Sequence, residues 1–485
     1  MGEDIISFRN LDAFFESKGY NIDEYNLMLP HINLWQSWYN GEVKKFHKYN
    51  IYNGKKTIPC NRYSLGMAKT IAETYSDLLL NEKVQYNIGK EETDNIIKEK
   101  ILFVNDWEDI ANEGIEKTFA FGTGAFVGSL SNMEYDIEND VLDTTNSEMK
   151  IEFVTADKII PLKFQGKKVI DCAFITEKTI EKKIIICISI HRLDDTYKIE
   201  NYFFVKEKSK LSMVTAIENS VDLYDTGSDK AWFWILRPRI TNNICYNSPF
   251  GISVFANSID TLKAIDIAYD SLINEFILGK KRIFVNKDAL DIDEFGDPKF
   301  DSNDLVYYYL NGNMYGDESN GEPRKAIAET DFNLRVDNHE QGIQLNLNLL
   351  SVKTGLGDSY WKFNGGQVRT ATEVISDNSN LFRSKQKHQI SLEGCLYDML
   401  KTVCYIAKNK LGMQIEEDPE ISIDFDDSII EDTQAEFNRN MILYQQGLIN
   451  KVQFFMNTNK MTKPQAEEFV RESQEGILEE PLEEE

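Results

Sequence analysis

Residues 248–282 read SPFGISVFANSIDTLKAIDIAYDSLINEFILGKKR. Apolar residues recur at Phe255, Ile259, Leu262, Ile265, Tyr269, Leu272 and Phe276, the spacing of one face of an α-helix. Pro249 precedes the run and Gly279 closes it. Lys280, Lys281 and Arg282 follow, where cations suit a helix C-terminus. At 1.5 Å per residue, a helix over 253–279 would be roughly 35–40 Å long. Asp266 and Asp270 lie one turn apart within it. Like charges at that spacing repel by a few tenths of a kcal/mol, so basic groups from another helix or another chain are expected to compensate them.

Working towards the C-terminus, RIFVN (282–286) and DLVYYYLNGN (304–313) read as short strands in a Gly-, Asp- and Asn-rich setting. HEQGIQLNLNLLSVKTG (339–355) alternates like a strand at Ile343, Leu345, Leu347 and Leu349. Its leucine richness without β-branching favours a helix, with Ile343, Leu347 and Leu350 on one side. GLGDSYWKFNGGQVR (355–369) then carries four glycines. Thr370 followed by Glu373 is a capping box. A permissive loop is thus tied to the rigid first turn of a helix. That helix runs to Gly412, about 40 residues or roughly 60 Å. Its stripe includes Leu381, Lys385, His388, Leu392, Met399 and Val403. The polar first half suits a neighbouring chain or a wet channel. EISIDFDDS (420–428) reads as a strand, and the remainder as short helices broken at Gly447 and Pro464 before an acidic tail, EEPLEEE.

Towards the N-terminus, 31–48 and 64–80 carry helical stripes, with Trp35, Trp38, Ala72, Tyr75 and Leu79 as core candidates. Between 150 and 205, KKVIDCAFITEK, EKKIIICISIHRL and TYKIENYFFVKE read as an antiparallel meander. His191 ends one of these strands with no second histidine nearby, which points to a structural role.

The chain has 485 residues, 42% of them apolar, and a formal net charge of −27. That balance is unsuited to gripping nucleic acid, which needs phosphate neutralised by Lys and Arg. The charge is uneven: 42–69 carries Lys44, Lys45, Lys48, Lys55, Lys56, Arg62 and Lys69 against Glu42 alone. Six scattered cysteines, without a CxxC pair, read as reduced thiols. No apolar run is long enough to span a membrane, and MGEDIISFRN is neither a signal peptide nor a myristoylation motif.

Catalytic signatures are missing. The sequence has no GxxxxGK[ST], HExxH or GxSxG, and GTGAFVG (122–128) follows a helical stretch, not the strand that dinucleotide binding requires. Asp424 and Asp426 fall on one strand face and read as solvated; metal ligation by them is the alternative. No acid, base and nucleophile assemble, so neither catalysis nor a cofactor or metal is expected.

Three segments in order carry a resemblance. They are INLWQSWYNG with NRYSLGMAKTIAETYSDLLLNE, the 248–285 stretch, and FNGGQVRTATEVISDNSNLFRSKQKHQ. Together they resemble the portal proteins of tailed phages that infect Gram-positive hosts. The resemblance implies an α+β portal-protein architecture with helical wing, stem and crown, a β-rich wing meander and a small β-containing clip. It assigns 1–250 to the wing, 251–280 to the first stem helix, 281–330 to the clip and 331–354 to the second stem helix. It makes 355–369 the tunnel loop, 370–430 the long helix and return strand, and 431–485 the crown and acidic tail. It implies a virion protein, assembled in the host cytoplasm, forming a ring of about twelve copies at a capsid vertex. Double-stranded DNA would pass through it during packaging and ejection. Its implied partners are the terminase large subunit, scaffold and major capsid protein, and neck or head-completion proteins at the clip.

On this reading Lys362 and Arg369 meet DNA phosphate, Trp361 or Phe363 supplies bulk, and Gly365 and Gly366 let the loop move. Thr370 and Glu373 cap its supporting helix, and Lys280, Lys281 and Arg282 are candidates to face the channel between stem and clip. Trp361 and Phe363 packing beneath the loop is the plainer alternative. Two other functions compete: a metal-dependent nucleic-acid-processing enzyme using Asp424 and Asp426, and a soluble scaffold without a DNA role.

Overall fold

The computed structural model describes residues 7–8, 10–52, 54–80, 84–136, 141–144, 146–180, 183–207, 210–214, 221–279, 282–286, 307–310, 327–330, 333–358, 360–362, 371–416, 418–425, 433–459, 466 and 469–471. Its helices in chain order are α1 (Leu11–Ser17), α2 (Asp23–Tyr39), α3 (Lys44–His47), α4 (Met67–Leu79), α5 (Glu91–Ile97), α6 (Trp107–Phe121), α7 (Ile259–Leu278), α8 (Val336–Thr354), α9 (Ala371–Asn409), α10 (Thr433–Gln445) and α11 (Lys451–Asn459).

The fold is α+β. A bundle of α2, α4 and α6 buries Trp35, Trp38, Ile71, Tyr75 and Phe119, and α9 closes it with Leu392, Leu396, Met399 and Val403. Fully burying such side chains contributes about 1.5–3 kcal/mol each. The expected stripes on α2 and α4 are therefore core stripes. α6 ends at Gly122, whose φ of 82° is left-handed and whose added Cβ would lie 2.6 Å from the Ile252 backbone. Only glycine fits there, and the chain turns at once into the strand Gly124–Ser131.

The meander is present and larger than expected. A seven-stranded antiparallel sheet runs in the order Ser7–Phe8, Lys210–Val214, Tyr197–Glu207, Lys183–Leu193, Lys168–Ile180, Ile159–Gln165, with Leu223–Asp225 pairing beside Tyr197–Glu207. Its register sets Cys172 opposite His191 and Ile188 opposite Tyr202. A second sheet, Phe233–Leu236, Gly124–Ser131 and Glu148–Thr155, packs on it. His191 lies edge-on between the Phe174 and Phe233 rings, and burial alone pulls its pKa down to about 3. Its structural role is thereby plain.

α7 and α8 pair alongside this body. α8 settles the ambiguous 339–355 stretch as helix, burying Ile343, Leu347 and Leu350. The core stripe of α7 holds at Phe255, Leu262 and Ile265 but fails at Phe276, which is exposed where the end of α7 meets the first turn of α8 through Glu275. Arg282–Asn286 pairs parallel with Tyr307–Leu310 and antiparallel with Ile327–Thr330; the last of these strands was not evident from sequence.

Candidate functional site at the paired helices and their loop

The root of α7 is held by its two carboxylates. Asp266 accepts from the Leu65 N–H at 2.8 Å, from Ser64 Oγ at 3.0 Å and from His47 Nε2 at 3.0 Å. His47 Nδ1 accepts from the Val43 N–H at 2.8 Å, so Nε2 carries the ring proton and donates to Asp266. Asp270 accepts from the Tyr63 N–H and from Asn274 Nδ2, both at 3.1 Å. The charge pair is thus met by hydrogen-bond donors from the 63–65 turn and by His47 of α3, a basic residue from another helix of the kind the sequence led one to expect. Both aspartates are buried, and hydrogen bonds to ionised carboxylates are stronger than neutral ones.

The far end of α7 is stapled to the start of α8. Glu275 accepts from Arg335 Nε at 3.0 Å and NH2 at 2.8 Å, and from the Arg335 backbone N–H at 3.2 Å. The Arg335 fork holds the Glu275 pKa down at about 2. This clamp fixes the two helix ends on either side of the 281–330 segment.

Between these fixed ends, both helices leave apolar side chains uncovered. On α8, Leu345, Leu349 and Val352 fall at i, i+4 and i+7 and are 62%, 49% and 59% exposed. On α7, Ile267, Phe276 and Ile277 are exposed. A row like that of α8, on a charged, acidic chain, marks a contact surface.

α8 ends at Gly355, with φ of 85°. Its added Cβ would lie 2.7 Å from Ser384 Oγ of α9. Tyr75 of α4 donates its hydroxyl proton to the Thr354 carbonyl at 2.5 Å and lies 2.9 Å from Ser384 Oγ, and burial lifts its pKa to about 12. Three helices therefore meet at the base of the glycine loop. The loop's first leg turns back along α8: Gln344 Nε2 donates to the Trp361 carbonyl at 2.7 Å. Trp361 is half-buried against the core, the plainer of its two expected placements. Lys362 is exposed and lines a groove with Asp337, Glu340 and Gln341.

Phe363, Gly365, Gly366, Arg369 and Thr370 lie outside the described residues, as do Lys280 and Lys281. Glu373 falls in the first turn of α9, and Arg282 opens the strand that pairs it with Thr330. The polar part of the α9 stripe, where described, turns inward. Lys385 and His388 are buried in this chain instead of facing a channel or a neighbour. His388 Nδ1 accepts from the Arg239 N–H at 3.0 Å, its ring meets Tyr75 and Phe119, and burial pulls its pKa down to about 3.

Asp424 is exposed and accepts from Asn87 Nδ2 at 3.1 Å, and Asp426 lies outside the described residues. Among the described residues, no cluster of His, Cys, Asp and Glu is arranged to hold a metal, and no helix is long and apolar enough to cross a membrane.

A family model described as phage portal protein, SPP1 Gp6-like, matches residues 19–481. The chain belongs to that portal protein family. It is a structural family, so this is a portal, or connector, protein of the virion. No curated protein matches the sequence. Among solved structures, the portal chain is similar to "Neck of empty GTA particle computed with C6 symmetry", at 10% identity over 81% of this chain and 88% of that one, with a TM-score of 0.38. It is also similar to "Neck of native GTA particle computed with C12 symmetry", at 10% identity over 80% and 87%, with a TM-score of 0.33.

Proposed function

We propose that this portal protein closes head to tail into a ring of about twelve copies at one capsid vertex, a heterologous assembly that uses two different surfaces of each subunit. The observation that carries the reading is the uncovered apolar row Leu345–Leu349–Val352 on one face of α8, with Phe276 and Ile277 also exposed at the end of α7. A neighbouring copy laid against α8 buries that row, and the rotation repeats until the ring closes.

Double-stranded DNA passes through the ring during packaging and ejection. α7 and α8 are its stem, 281–330 the clip where neck proteins dock, 1–250 the wing and 431–485 the crown. Terminase, scaffold and capsid protein are its other partners. The 355–369 segment is the tunnel loop, and Tyr75, Thr354 and Ser384 hold its base. Lys362, sharing its groove with Asp337 and Glu340, meets DNA phosphate only in passing, because those carboxylates compete for it. A conduit needs that weakness, since six to ten phosphate contacts bind strongly at low salt. The work is mechanical, with no bond made or broken.

Shortening the 357–366 loop tests the DNA role. Particles should assemble, and the nuclease-protected DNA per particle should fall to the level of a packaging-negative control. Full DNA content with the shortened loop would contradict the conduit and favour a scaffold.

A further inference from the structure

We propose that the basic arm over 44–63 straps each subunit to the next by docking on the acidic surface of a second copy of this chain; the inference rests on the ring reading. The strands Lys48–Tyr52 and Thr57–Asn61 pair with each other and, among the described residues, with no other strand. An isolated two-stranded hairpin is marginal in water. This one is rigid at its root. The Arg62 guanidinium lies 4.3 Å and 4.8 Å from the Phe46 and Tyr49 ring centroids, and it donates to the Phe46 carbonyl at 2.8 Å. The Arg62 N–H donates to the His47 carbonyl at 2.7 Å, and His47 is locked onto Asp266 of α7. A stiff root with a tip open on both faces is built to reach outward.

The tip combines two chemistries. Lys55 and Lys56 are exposed between the two strands, Lys44 and Lys45 are exposed at the root, Lys48 at the root pairs with Glu42, and 42–69 holds seven cations to one acid in a chain of net charge −27. Ile51 and Tyr52 at the tip are 49% and 69% exposed, and Tyr63 is exposed at the root. Cations alone suffice to track DNA phosphate, whereas apolar and tyrosyl anchors among them fit a protein surface. Every copy offers acid in excess outside the arm, so the complementary surface is present wherever a neighbour sits. The root also lies beside the exposed Ile267 of α7, which adjoins the Asp266 that holds it.

The test uses rings of the full chain assembled from equal amounts of ¹⁴N- and ¹⁵N-labelled protein and treated with a carbodiimide, which joins lysine to carboxylate without a spacer. Mixed-isotope peptides linking Lys55 or Lys56 to Asp or Glu are expected. Lys55→Glu with Lys56→Glu should lower the NaCl concentration that dissociates the ring at least about twofold, because paired surface charges are screened by salt. Ile51→Ser with Tyr52→Ser, which leaves the charges in place, should weaken the ring as well. Arm links confined to single-isotope peptides would overturn the proposal, as would a charge-reversed ring with unchanged salt tolerance. So would normal charge-reversed rings that lose only DNA binding, which would make the arm a DNA contact. Wild-type protein that forms no ring would remove the ring reading and this one with it, whereas wild-type rings without mixed arm links remove this one alone.

Discussion

Tyr75 shows how single atoms hold the loop base. Its hydroxyl joins α4 to the last carbonyl of α8 and to Ser384 of α9. Tyr75→Phe should destabilise the chain by about 1–2 kcal/mol in urea unfolding, the range for a buried hydrogen bond whose acceptor stays in place. Gly355→Ala must accept both a left-handed backbone and a clash with Ser384, and should cost about 1–3 kcal/mol. Buried histidines set an acid limit. His191 and His388 have pKa values near 3 in the fold and an ordinary value of 6.5. Between those values the unfolded chain binds protons that the folded chain does not, so stability is complete above about pH 7 and falls as the pH drops. At pH 5 each histidine should cost about 2 kcal/mol relative to pH 7, and His388→Gln should remove its share of that slope. His191 was legible as structural because it stood alone. The burial of Lys385 and His388 was not, since a polar residue on a helical stripe looks the same whether it faces water or a polar pocket in its own chain.

Among the elements, the far end of α7 is tied to the start of α8 by the Glu275–Arg335 clamp. Glu275 sits at about 2 in the fold against an ordinary 4.5, so its contribution is present above about pH 4.5 and is lost as the pH falls towards 2. Arg335→Ala should speed amide exchange over residues 335–340 at neutral pH while leaving the bundle around Trp35 unchanged. Equal exchange in Arg335→Ala and the unsubstituted protein would show that the clamp contributes nothing. The long helices and the meander were readable because their apolar periods run for many residues. Phe276 misled because a stripe on a helix end reads alike whether its partner is the same chain or another. The 48–61 hairpin escaped because its half-exposed strands have no buried alternating face to announce them. The donors to Asp266 escaped for another reason. They are one backbone N–H, one serine hydroxyl and one histidine ring, all about 200 residues away along the chain, and no local pattern marks such a pairing.

For the molecule as a whole, the proposed conduit role asks shape and charge to carry the function. No motif in the sequence announces chemistry, and the family membership rests on the family model's match over residues 19–481. The surfaces needed for ring closure were only half visible in the sequence. Leu345 and Leu349 suggested a strand, yet those same residues form the exposed row of α8. The central claim is that the α8 row closes identical chains around a channel. Native mass measurement of the purified 56.0 kDa chain beside Leu345→Asp with Leu349→Asp tests it most directly. Wild-type protein should appear as closed rings of many copies, and the variant should appear as folded monomers with an unchanged urea midpoint. A wild-type protein that stays monomeric at every concentration, or a variant that forms the same rings, would contradict it.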